Sequence, residues 1–228
     1  MSFTFVAVQT GTGNGVTSIA TGSTLNVAAG DLLIGMVGVY NDPGTVTMAD
    51  SDGTTNVMTM LDKKASGGGL YTRIGYVLSA TADATASMTV TGTSNLGYAG
   101  WIVYQFRPDA GETVSYESSD IDATGSSTTP QTGDMTTTGT DEVMAALLYL
   151  YNGKQWSGNR WIADVEADGA TSPRNEAHAW YNIFSETKTD AHAQALMGGS
   201  DTWLIDMVAF KSAAAAASGN PWHAYAQQ

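Results

Sequence analysis

The chain has 228 residues, of which 43% are hydrophobic and only 14% charged, with nine basic against 22 acidic side chains and a formal net charge of −13. That length suits one large domain whose core needs no metal or disulfide, and the lack of cysteine rules out a disulfide framework without choosing between a protein made in the cytosol and one that must survive outside cells. The basic residues are scattered, so no stripe exists to neutralise phosphates, and the same acidity opposes an anionic membrane; neither nucleic acid nor membrane is expected as a partner.

Ordinary domains carry about 25% charged residues, so here Thr, Ser, Asn and Gly must supply the polar surface. With 26 glycines and abundant threonine, the chain favours strands joined by turns, because β-branched residues suit a pleated sheet and glycine suits positive φ. The N-terminus, Met-Ser-Phe-Thr-Phe-Val, alternates like a strand and lacks the basic start of a signal peptide. Period-two or short apolar runs then predict strands at residues 3–8, 24–27, 32–40, 45–48, 57–61, 70–78, 86–90 and 98–106. Asn41-Asp42-Pro43-Gly44 between two of them has the residues of a type II turn.

A Ser/Thr/Gly-rich stretch at 118–140 reads as a crossing connection with room for an edge strand, and after it the first pattern returns. Residues 31–41, Asp-Leu-Leu-Ile-Gly-Met-Val-Gly-Val-Tyr-Asn, align with residues 142–152, Glu-Val-Met-Ala-Ala-Leu-Leu-Tyr-Leu-Tyr-Asn. Residues 76–83 parallel 182–189, and 101–107 parallel 205–211, with Asn152-Gly153 as a second turn signal. Neither half has strands enough to close a core, whereas two halves face to face make an antiparallel β-sandwich. The expectation is an all-β domain over residues 1–212 with halves at about 1–117 and 134–212, followed by a spacer and arm at 213–228. Continuous apolar runs too long for an edge place 32–40 and 143–151 at the buried centre of each sheet.

Gly30-Asp31-Leu32-Leu33 at a strand start, the Asp50-Ser51-Asp52-Gly53 turn and the late aromatic strand Trp101-Ile-Val-Tyr-Gln-Phe-Arg107 lie in a stretch, about 22–211, that resembles the jelly-roll-like β-sandwich modules of tailed-bacteriophage virion structural proteins. The resemblance implies a non-enzymatic virion protein, a head decoration or tail accessory part made in the host cytoplasm. It would act by self-association as a homo-oligomer and by docking to other virion proteins, and it brings no catalytic residue with it. Strong negative charge disfavours a place against packaged DNA, so the head exterior or the tail is expected.

The residues themselves offer little chemistry. No serine sits in a Gly-x-Ser-x-Gly elbow. His178 and His192, with Glu176 or Asp190, match no zinc spacing and read as surface or cross-strand histidines. The Asp50 to Asn56 stretch starts like a calcium loop but lacks the closing glutamate, so it reads as a turn. No cofactor, metal or catalytic group is therefore expected.

Two clusters read as contact surfaces. Gln155, Trp156, Asn159, Arg160 and Trp161 form an aromatic and polar corner for packing or an interface; the alternative function, a carbohydrate-binding module for host or glycan attachment, would stack sugars there. Pro221, Trp222, His223 and Tyr225, beyond the spacer at 211–218, have the make-up of a docking arm, since aromatic anchors concentrate binding energy in small interfaces. Trp101, Trp180 and Trp203 lie in apolar strands and are expected in the core.

Overall fold

Strand-forming runs cut by Gly, Asn and Asp give seventeen strands and no helix among the residues that the computed structural model describes, which are 3–152, 156–159, 163–167 and 175–214. The first half contains β1 (Phe3–Gly13), β2 (Val16–Ala20), β3 (Leu25–Val27), β4 (Leu32–Tyr40), β5 (Val46–Asp50), β6 (Thr59–Met60), β7 (Lys64–Ala65), β8 (Leu70–Val77), β9 (Asp83–Ala86) and β10 (Met88–Pro108). The second contains β11 (Glu112–Ser127), β12 (Glu142–Leu150), β13 (Trp156–Asn159), β14 (Ala163–Ala167), β15 (Glu176–Phe184), β16 (Ala195–Met197) and β17 (Asp201–Ala214).

Each half builds its own antiparallel sheet, in the order β1-β10-β4-β8-β6 for the first and β11-β17-β12-β15-β14 for the second. Both place the opening strand at the edge, the closing strand beside it and the apolar strand in the middle. Leu32 stands opposite Phe106, and Val143 opposite Phe210, so the sequence echo is a structural repeat. β4 is buried along its length except at Tyr40, and β12 throughout, as their unbroken apolar sequences require.

The sheets pack face to face. Leu32, Ile34, Met36, Ile74, Tyr104 and Phe106 from the first meet Val143, Leu147, Ala179, Leu204, Val208 and Phe210 from the second. The aromatic contacts follow an internal two-fold relation. Phe5 stacks on Tyr181 at 4.9 Å and Tyr116 stacks on Tyr76 at 5.3 Å, and in the repeat Phe5 corresponds to Tyr116 and Tyr181 to Tyr76. Tyr40 and Tyr151, equivalent to one another, meet at 5.3 Å. Beside them the halves differ in volume: a Cβ on Gly38 would fall inside the ring of Tyr149, its counterpart.

Two further apolar layers cover the outer faces. On the first sheet, Leu33, Val37, Val39, Trp101 and Val103 lie under Ile19, Val46, Met48, Met88 and Val90. On the second, Met144, Leu148, Trp180, Ile205 and Met207 lie under Met135 and Ala191 to Met197. Trp101, Trp180 and Trp203 are thus all buried, as expected.

Several boundaries move. Residues 86–90 and 98–106 are not separate strands: β10 runs through the glycines between them, because β2 and β5 pair with its first part while β1 and β4 pair with its second. The register shifts at Thr91/Leu96 and Gly97/Gly100 turn that first part back over the sheet's outer face. Residues 118–127 complete β11, the edge strand for which the 118–140 stretch had room, and β17 continues to Ala214 opposite Glu112, so the spacer does not begin at Lys211. The alignment of Tyr76 with Asn182 slips by one, since Leu33 faces Val77 and Met144 faces Asn182. A one-residue slip exchanges faces, and the corrected register packs both Tyr76 and Tyr181, half-buried, against the intersheet core.

Candidate functional site

The docking arm of Pro221, Trp222, His223 and Tyr225 lies outside the described residues, as do Gln155, Arg160 and Trp161. Trp156 and Asn159 are placed by their backbone only, at the ends of β13, opposite Met197 and Ala195 of β16. That ribbon belongs to the cover over the second sheet's outer face, where β16 contributes Ala195 and Met197 to the apolar layer.

The two described histidines take different acidic partners. Of the two readings, surface or cross-strand, His178 takes the second: it is buried on β15 between β12 and β14, with Nε2 3.0 Å from Glu176 Oε2, whereas His192 lies 3.3 Å from Asp134 Oδ1. Asp52 accepts the Thr54 and Thr55 amides at 2.8 and 2.7 Å, and the Thr55 hydroxyl and these amides draw its carboxyl down to about 2. This is the self-capped turn read from the sequence. Among the described residues no group of three His, Asp or Glu side chains is arranged to hold a metal.

The ionic chemistry concentrates instead where the central strands begin. In the first half Asp31, 1% exposed, takes a two-pronged ion pair from Arg107, Nε to Oδ1 at 2.8 Å and Nη2 to Oδ2 at 2.9 Å. The Ala28 amide and the Gln105 side chain donate to the same carboxylate at 2.8 and 2.5 Å. Burial alone would raise Asp31, but Arg107, the Ala28 amide and Gln105 together hold it below the usual aspartate range. Arg107 is half exposed and borders an open pocket of about 450 Å3 lined by residues 28–31 and 107–112.

The repeat puts Glu142 and Lys211 where the first half has Asp31 and Arg107. Their chemistry differs because β11 bulges between Tyr116 and Ser118, leaving Glu117 as the extra residue, and a bulge re-aims the side chain that it carries. Glu117 Oε1 accepts the amide and hydroxyl of Thr138 and, at 3.0 Å, the Gly139 amide, which also donates to Glu142 Oε1 at 2.7 Å. Lys211 Nζ reaches the Thr138 hydroxyl at 2.8 Å and Glu117 at 3.6 Å. Burial, opposed by the Thr137 hydroxyl and reinforced by the neighbouring Glu117, pushes Glu142 up to about 7. Burial would raise Glu117 too, but the Thr138 hydroxyl, Glu142, the Thr138 amide and Lys211 bring it below its ordinary range.

The sequence repeat pairs Asp31 with Glu142 and Arg107 with Lys211 but carries no sign that either pair forms a site. Glu117 carried no such signal, because its approach to Glu142 depends on a bulge. Comparison with family models, curated proteins and solved structures finds no match for the chain.

Proposed function

We propose that this chain is a non-enzymatic structural protein of a tailed-phage particle, a head decoration or tail accessory part that works by self-association and docking. The observation that supports this reading most is the edge of the second sheet. β11 is 16 residues long and, among the described residues, pairs only with β17. An edge strand of that length offers a row of backbone donors and acceptors to a strand from another chain. Thr113, Ser115, Asp122, Thr124 and Ser126 along it are exposed, giving a polar surface that stays in water until a partner arrives. The net charge of −13 suits an outward position away from packaged DNA.

The test combines light scattering of the purified protein with mass spectrometry of purified particles. The expected result is a homo-oligomer and stoichiometric presence in particles, both lost in a Thr113→Lys/Ser115→Lys variant of unchanged melting temperature, since edge lysines block strand addition. A wild-type monomer at high micromolar concentration, together with its absence from particles, would refute the proposal.

A further inference from the structure

Two buried carboxylates share one donor. The Gly139 amide lies 3.0 Å from Glu117 Oε1 and 2.7 Å from Glu142 Oε1, and the two side chains are 3% and 0% exposed. The cation recorded beside them is Lys211, a point charge divided between Glu117 and the Thr138 hydroxyl. One cation against two buried carboxylates leaves a negative charge to be removed, and the least disruptive way is a proton held between them.

We propose that Glu117 and Glu142 share one proton, and that this proton closes a clasp holding residues 137–139 against the second sheet, released as the pH rises past neutrality. The segment held is the end of a strap. Residues 128–137 run antiparallel to 188–197, with Thr132 N to Ala193 O at 2.9 Å, Met135 N to Ala191 O at 2.7 Å and Thr137 N to Lys188 O at 2.8 Å. Met135 of this strap is buried in the layer over the second sheet. Losing the proton sets two carboxylates against each other under the strap's last turn, so Thr138 and Gly139 come away first. The other charged groups around it are Asp141, next to Glu142 in the chain, and the connection after β15, where Lys188 pairs with Glu186 at 2.5 Å and lies over the Phe184 ring. Asp134 pairs with His192 further along the strap.

The direction of the pH effect follows from Glu142, which burial carries up to about 7. A group raised in the folded state stabilises fully below its ordinary value and loses that contribution as the pH rises through the raised one. Glu117 is lowered while Glu142 is raised, so the pair holds one proton rather than two.

Amide hydrogen exchange of residues 137–139, corrected for intrinsic base catalysis and referenced to β12 amides, tests the clasp. Wild-type protection should fall about tenfold between about pH 5 and about pH 8.5. Glu142→Gln supplies a permanent donor in place of the proton and should make protection independent of pH. Glu117→Gln does the same from the other side and serves should the first variant fold poorly. Wild-type protection that stays flat over this range, or a pH response that survives both substitutions, would overturn the clasp.

Discussion

Asp31 and Glu142 occupy the same place in the repeat, at the start of each half's central strand, yet one is balanced by a cation and the other by a proton. Asp31 meets the flat, two-pronged guanidinium of Arg107, with Gln105 filling the remaining direction. Glu142 stands opposite Lys211 in the ladder, but that ammonium turns toward Thr138 and Glu117, and a second carboxylate arrives from the bulge. In the first half the equivalent bulge residue is Val6, between Phe5 and Ala7, and it is 37% exposed. Arg and Lys are therefore not interchangeable here: a fork closes the ion pair locally, whereas a point charge leaves room for a proton. The pH consequences are opposite. Asp31 is lowered, so its contribution is present above the ordinary aspartate value and is lost as pH falls below it; that of Glu142 is lost as pH rises through about 7.

The largest effect should come from forcing the halves to match in volume. Gly38→Val places methyl groups into the Tyr149 ring, which is itself fixed by its hydroxyl donating to the Tyr98 carbonyl. Urea denaturation should show a loss of about 3 kcal/mol. A loss below about 0.5 kcal/mol, the range of a neutral surface change, would mean that the intersheet packing near the two-fold is loose.

Asp31→Asn tests the cation-balanced corner. Removing the charge opposite Arg107 should cost about 2 kcal/mol at neutral pH, moderated by the half exposure of the guanidinium. It should also flatten the fall in stability on the acid side of about pH 4. An unchanged acid limb would show that Asp31 is not held below its ordinary value by these contacts.

The smallest effect sharpens the contrast. Val6→Glu puts a carboxylate on the first half's bulge, but its side chain reaches solvent, so stability should move by no more than about 0.5 kcal/mol. No titration near neutrality should appear in its stability profile. A new neutral transition would mean that the bulge alone, without the 137–139 strap, suffices to build a shared-proton pair.

The alternation of apolar and polar residues, and the unbroken apolar runs at 32–40 and 143–151, determined the central strands, the all-β class and the repeat, because burial on one or both faces of a sheet is written into local composition. The Asp52 turn was equally readable, since its partners lie within three residues. Tertiary structure decided what depends on distance along the chain. It made one strand of β10, because β2 and β5 pair with its first part and β1 and β4 with its second, joining two runs that the sequence alone separates. It fixed the register that packs Tyr76 and Tyr181 against the same core, a choice that aligned letters placed one residue off. And it brought Glu117 to Glu142 across 25 residues of sequence through a bulge. Sequence sets which charges are buried, but the shape and position of the nearest donors decide whether a cation or a proton balances them.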